Sequence, residues 1–533
     1  MMLSKSSQRL CAILTVFRML AFIMLAVLTI SLFNSIRVNS QADEISTTEI
    51  DRYIQNQIRE KQLPGLAISI VSGQEIIYQH GFGFSSLNTK LPVTPQTIFD
   101  LASCSKSFTA LSVLILWKDG LIDLDKPLVY YLSEFHLTDS ESSSKITIRQ
   151  LLNQTSGLPG DVSEPVSYHQ GSDAMNKLVI AMGGIRLDNP PGTRFEYANF
   201  NYNLLGALVE KVSGKCFEDF VQERILTPMN MTDSTLRPEV ALQKDRADGH
   251  QLLLGKVVVR NVPIYRSAIP AGWVMSSVED MSKWLIMNLN HGAIDGKQVF
   301  PAELVDMTHT TAITLFEDGK EAGYGMGWFI GTAKSGEPVY WHGGDTPNFL
   351  SEMILLPEKQ LGIVMLINGQ TCKNAHEIAT GVLSLVLSVR FELPQAPWWA
   401  SWKSVDNISI YATILSIVLI LGLVPFIPWQ VQVIKRLRQN TNTQSTNKKK
   451  MKIWRLIPPV TPWMILILIA SVAYVVMQSL FGFNIFVTIW RFGYFAPPGT
   501  LVAAITILIT LFLWAIALSI TAIFRELSRV PRS

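Results

Sequence analysis

Three apolar runs near the C-terminus, residues 408–429, 461–483 and 500–524, constrain this chain more than any other feature. Each is about as long as the ~20 residues a helix needs to cross a bilayer. The loop between the first two, residues 430–460, carries Lys435, Arg436, Arg438, Lys448, Lys449, Lys450, Lys452 and Arg455 and no acid. The tail 525–533 carries Arg525, Arg529 and Arg532, whereas the short loop 484–499 has only Arg491. The positive-inside rule puts the basic loop and tail in the cytoplasm and everything before residue 408 outside. The N-terminus agrees: Lys5, Arg9 and Arg18 precede an apolar run from Met19 to Phe33, and the small residues Ser40 and Ala42 follow. Residues 1–42 therefore read as a secretory signal cleaved after Ala42, or as an uncleaved N-terminal anchor. Trp398, Trp399 and Trp402, in a linker over 396–407, stand where an interfacial aromatic belt is expected.

Residues 43–395 remain for one large extracytoplasmic domain. The net charge of the chain is only +3, with acids and bases mixed through this part, which excludes a nucleic-acid surface. Topology accounts for the basic loop. Cys11, Cys104, Cys216 and Cys372 form no C-x-x-C pair, and no H-E-x-x-H is present, so neither a disulfide framework nor a zinc hydrolase is indicated. Residues 66–71 and 75–78 flank Ser72-Gly73 as strand, turn and strand. Residues 337–341, 351–356 and 361–366 read as three more strands, and helical periodicity over Ser105–Asp119 and Asn203–Ser213 lies between. The expected fold is α/β in the α+β sense: one antiparallel sheet built from both ends of the domain and covered by helices, followed by the three membrane helices.

Ser103-Cys104-Ser105-Lys106 opens an apolar periodic stretch. Positions i and i+3 share a helix face, so Ser103 and Lys106 meet, and a helix N-terminus suits a serine oxygen becoming an anion. Lys106 can take that proton only as the neutral amine, which against a reference pKa near 10.4 requires about 4–5 kcal/mol at pH 7. The same spacing recurs at Ser142–Lys145 and Ser445–Lys448, but only Ser103 heads an apolar helix. Tyr197-Ala198-Asn199 is the one Tyr-x-Asn of the chain: a phenol can relay protons and an amide can hold a carbonyl, or the pair simply packs and caps a helix. His342-Gly343-Gly344 ends a strand, where glycines let a substrate backbone approach, unless the segment is an ordinary turn.

In this order the segments resemble the penicillin-recognising serine hydrolases, and more closely the class C β-lactamase-related family of carboxypeptidases, D-amino-acid peptidases, esterases and β-lactamases. The resemblance runs from about Leu63 to Gln370. Its segments are Phe99–Lys106; Ile146–Leu152 with Thr155–Pro159; Pro191-Gly192 with Phe195–Asn199; Ala271-Gly272 with Ser277, Glu279–Met281 and Trp284; Tyr324–Trp328; and Trp341–Gly344. It implies a serine β-lactamase/DD-peptidase-like domain in which Ser103 is acylated and Lys106 and Tyr197 share the acid–base work. It further implies that Asn199, His342, Gly343 and Gly344 contact substrate, and that the backbone N–H groups of Ser103 and Asp345 form the oxyanion hole. No metal or organic cofactor is required. His342 stands where true β-lactamases carry lysine. Asn348 replaces a frequent glycine and is expected to narrow the cleft, and Asp345 places an acid at its edge. Gln150 and Gln154 replace histidines common in the family and are given no catalytic meaning. Cys104 reads as a small buried residue.

The leading expectation is a membrane-anchored serine hydrolase acting on D-alanyl peptides or esters of the cell envelope, with no nucleic-acid partner. Broad esterase and then β-lactamase activity follow. A different class, a penicillin-binding or wall-ligand sensor that is acylated without turnover, differs only in deacylation. A transporter is disfavoured because the apolar runs contain few polar residues.

Overall fold

In the computed structural model, residues 47–160, 168–314, 322–371, 375–392, 413–414, 416–418, 432, 505–514 and 516 are described. The chain divides into two compact units, 1–51 and 52–533; of the first only 47–51 are described, the opening of helix α1 (Thr47–Lys61).

The second unit is organised by an eight-stranded sheet. Its strands are β1 (Gly65–Ser72), β2 (Glu75–Gly83), β3 (Ile313–Thr314), β4 (Ala322–Tyr324), β5 (Phe329–Thr332), β6 (Pro338–Asp345), β7 (Leu350–Leu356) and β8 (Leu361–Ile367). They lie in the order β2-β1-β8-β7-β6-β5-β4-β3, every pair antiparallel. Every residue of β7 and β8 is buried; β8 is a continuous apolar run covered on both faces, and β7 is apolar apart from the buried Ser351 and Glu352. β2 alternates and is largely exposed, as suits an edge. The N-terminal hairpin docks on the C-terminal one through Ile68 opposite Met365 and Ile70 opposite Ile363. The sheet is thus built from both ends of the domain, as the strand patterns predict.

The chain between these ends supplies the helices α2 (Ser105–Lys118), α3 (Ile148–Leu152), α4 (Asn199–Ser213) and α5 (Val278–Leu289); α6 (His376–Val386) follows the last long strand. α2 is buried from Ser105 to Leu116, so it is a central helix with no solvent face. Phe108 of α2 stacks on Trp284 of α5 with ring centroids 3.9 Å apart, and Ser282 of α5 donates to Ser69 of β1 at 2.7 Å. Gly206 on α4 lies so close to Pro270 that a Cβ would fall 2.1 Å from its ring. That contact brings the short helix Ile269–Gly272 against α4.

Ser103 does not head α2. It sits in a 3-10 turn, Ala102–Cys104, just before it. The reason is that this turn is fastened to the sheet: Ser351 Oγ of β7 donates to Leu101 O at 2.6 Å and Cys104 Sγ donates to His342 O at 3.1 Å. Upstream, Phe99-Asp100 pairs with Met275-Ser276, and the wholly buried Asp100 carboxylate takes three hydrogen bonds of 2.8–3.1 Å from Arg246.

Among the described residues no helix is long and apolar enough to cross a membrane. The second expected span, 461–483, falls wholly outside the described residues and the other two fall partly outside; within them 413–414, 416–418, 505–514 and 516 are helical. The signal segment, the linker and the tryptophans near 400 also lie outside.

Burial raises the Asp100 carboxyl pKa, and Arg246 works against that rise. Arg246→Met leaves the carboxylate buried and alone, which is expected to cost about 3–5 kcal/mol at pH 8. In the folded variant Asp100 then takes up a proton at a higher pH than in the unfolded chain. The deficit therefore shrinks as pH falls toward the ordinary carboxylate range. Denaturant unfolding of both proteins at pH 8 and pH 5 measures it; equal deficits would contradict the assignment.

Candidate active site

From Leu101 to Leu116 only Ser103 is not fully buried, so the chain presents one hydroxyl from an otherwise closed wall. Ala102 before it has φ +47°, a left-handed conformation that costs a non-glycine residue about 1–3 kcal/mol. What imposes it is contact. Gly344 of β6 lies against the turn so closely that a Cβ would fall 2.5 Å from Leu101 O and 2.8 Å from the Ala102 side chain. Only glycine fits there, and Gly344 thereby brings the end of β6 up to the turn that carries Ser103.

Lys106 is fully buried, and its Nζ is held at three points: Ser103 Oγ at 3.1 Å, Asn199 Oδ1 at 2.7 Å and Ala271 O at 2.8 Å. The last two atoms can only accept. A neutral amine has two N–H groups and one lone pair, so with both N–H groups so engaged the lone pair faces Ser103. The preceding carbonyl is held to α2 as well, since Thr109 donates to Pro270 O at 2.7 Å. Lys106 Nζ also lies 4.8 Å from the Tyr197 ring centroid and 5.7 Å from that of Tyr202. Thus Ser103, Lys106, Tyr197 and Asn199, which the sequence singles out, come together. Asn199 turns its oxygen to Lys106.

His342 is placed differently from expectation. Its ring is buried, with 1% exposure, so it is not offered to solvent or to a substrate's charge. Nδ1 lies 2.7 Å from Gly343 O, which can only accept, so Nδ1 carries the proton; Nε2 is then the acceptor for Tyr324 Oη at 3.3 Å. Burial, and next the Lys106 charge, lower its pKa to about 3. The imidazole is neutral at physiological pH and supports the strand from beneath. Gly343 is half-buried opposite Glu352 of β7, and Asp345 is exposed.

The departures noted in the sequence also resolve. Asn348 is buried and donates to Arg260 O at 2.9 Å, fastening a neighbouring loop instead of narrowing the cleft. Gln150 completes a capping box with Thr147 at α3. Cys104 is buried and its thiol pKa is pushed up by that burial, so it is no second nucleophile. Lys145 pairs with Glu141 on the surface, which leaves Ser142–Lys145 a helix end. Tyr324, Tyr202 and the Ala271 carbonyl were not assigned roles from sequence: a backbone acceptor has no residue signature, and tyrosines hidden behind a cleft pattern like core. Among the described residues no group of three or more metal-ligating side chains is placed to hold an ion.

The profile of the Beta-lactamase family matches residues 50–386. "Protein flp" of Staphylococcus aureus (strain MRSA252) is 28% identical over 327 residues, 61% of this chain and 63% of the relative. The chain therefore spans less than two thirds of that relative's length. Penicillin-binding protein 4 of Amycolatopsis lactamdurans is 29% identical over 318 residues, 58% of this chain and 82% of the relative. Among solved structures, the octameric penicillin-binding protein homologue from Pyrococcus abyssi superposes with a TM-score of 0.57 at 28% identity, covering 65% of this chain and 78% of that one. The matched segment contains the sheet, α2 and the Ser103–Lys106–Tyr197–Asn199 cluster, and on that ground the chain belongs to the Beta-lactamase family.

Proposed function

We propose that this chain is a serine hydrolase that works through an ester on Ser103. The observation that carries the reading is the three-point hold on Lys106 Nζ, in which Asn199 Oδ1 and Ala271 O can only accept and Ser103 Oγ is the third partner. Lys106 takes the Ser103 proton as Oγ attacks a substrate carbonyl. The backbone N–H groups of Ser103 and Asp345 receive the oxyanion. Lys106 with Tyr197 returns the proton to the leaving group, and water then releases the acyl group from Ser103. The apolar runs after residue 408 anchor the chain in the membrane with this domain outside, so the substrate belongs to the cell envelope. A D-alanyl peptide or ester is favoured. The relatives' names and the neutral His342 bear on which. A lysine at 342 would offer a cation to a substrate carboxylate; a buried neutral imidazole does not.

Incubating the full-length protein with an activated serine-acylating probe and reading intact mass should give a single adduct that Ser103→Ala abolishes. Lys106→Ala should slow adduct formation about 100- to 10,000-fold without unfolding the chain. Adduct that persists without decay would mark a sensor instead of a hydrolase; no adduct on folded wild type would sink the reading.

The neutral strand edge makes a further test. A neutral acyl donor and its carboxylate-bearing counterpart, such as a β-lactam methyl ester and the free acid, should acylate Ser103 at rates within about tenfold of each other, a difference of about 1.4 kcal/mol. A free acid that reacts a hundredfold faster would show a cationic subsite that His342 does not provide.

A further inference from the structure

Gln154 lies 44 residues before Ala198, yet it is bound to the active-site turn at several points. It is wholly buried with φ +62°, in the turn between α3 and Gly157. Its backbone carbonyl accepts from Glu196 N at 2.9 Å. Its side-chain Oε1 accepts from Ala198 N at 3.1 Å and from the Asn201 amide. Ala198 is the N-cap of α4 and makes no side-chain cap of its own, so Gln154 supplies from outside what this helix start lacks. The residues thus gripped flank Tyr197 and Asn199.

A hydrocarbon of the same volume would fill the space but could not accept these hydrogen bonds, and the Ala198 N–H at the start of α4 would lose its partner.

We propose that Gln154 is a positioning residue for acylation: its amide oxygen and backbone carbonyl set the Tyr197–Asn199 turn against Lys106. The proposal rests on the reading of Ser103 as nucleophile. Asn199 must stand within hydrogen-bond reach of Lys106, and a displacement of about 1 Å there is enough to cost ~100-fold in rate.

The test compares full-length wild type, Gln154→Met and Gln154→His by two readouts: Ser103 acylation by the probe, and amide hydrogen exchange of the segment 195–201. Methionine keeps the volume and removes the side-chain acceptor; histidine keeps one acceptor. Gln154→Met should lower the saturating acylation rate at least ~30-fold with little change in half-saturating probe concentration, and speed exchange at 195–201. Gln154→His should recover the rate to within about threefold of wild type. A folded Gln154→Met with wild-type rate or wild-type exchange overturns the proposal. If wild type itself is not acylated, the nucleophile reading falls, while unchanged or faster exchange still decides whether Gln154 holds the turn. Should Gln154→Met not fold, Gln154→Asn, whose shorter amide withdraws the acceptor from Ala198 N, carries the test: a slowed saturating rate supports the positioning role, and an unchanged one overturns it.

Discussion

Everything at this site follows from placing an amine inside a helix that has no solvent face. α2 is buried along most of its length, and Lys106 is buried with it. An ammonium without partners in such a place costs several kcal/mol. The surrounding elements are arranged to meet that cost: α4 brings Asn199 Oδ1, the short helix Ile269–Gly272 brings Ala271 O, and the preceding turn brings Ser103 Oγ. Two of these partners serve the charged and neutral forms alike, since either form has two N–H groups to give. The third, the Ser103 hydroxyl, distinguishes them, and it is the group proposed as the nucleophile. A stabilising network and a proton-transfer geometry are here the same set of atoms.

The second requirement is that the nucleophile turn and β6 stay in register. Gly344 touches Leu101 and Ala102, Ser351 of β7 donates to Leu101 O, and the Cys104 thiol reaches His342 O. The strained Ala102 backbone survives because these contacts over-determine it. Asp100, immediately before, is locked by Arg246. The turn is therefore held from both sides, which fixes the direction of its N–H groups, as the proposed stabilisation of an oxyanion demands.

Much of the architecture was legible because its signals are local. The i, i+3 spacing of Ser103 and Lys106, the apolar runs at 66–71, 351–356 and 361–366, and the glycines after His342 each state their role within a few residues. The 3-10 turn at Ser103 was not legible, since its cause is Ser351 and Gly344, more than 240 positions away. Gln154 was read as a bare departure from a histidine pattern, because what it does depends on Ala198 and Asn201, more than 40 positions away. Asn348 was expected in the cleft, but its bond to Arg260 O turns it away. Likeness to relatives marks positions and leaves open which way a side chain faces. For His342 and Asn348 that direction decided the role.

His342 shows how far one such direction reaches. A lysine at that position would place a second cation near Lys106, and like charges disfavour one another's protonation. The coupling is visible from the other side, since the Lys106 charge helps hold His342 neutral. With a neutral imidazole there, no second ammonium assists in freeing the Lys106 lone pair, and that task falls on burial and on the geometry that Asn199 and Ala271 impose. Small displacements of those two acceptors then matter more than they would in a site with a helping cation. A fold that gives up the charge must hold its acceptors more rigidly, and the doubly bonded turn at Gln154 is where this chain supplies that rigidity.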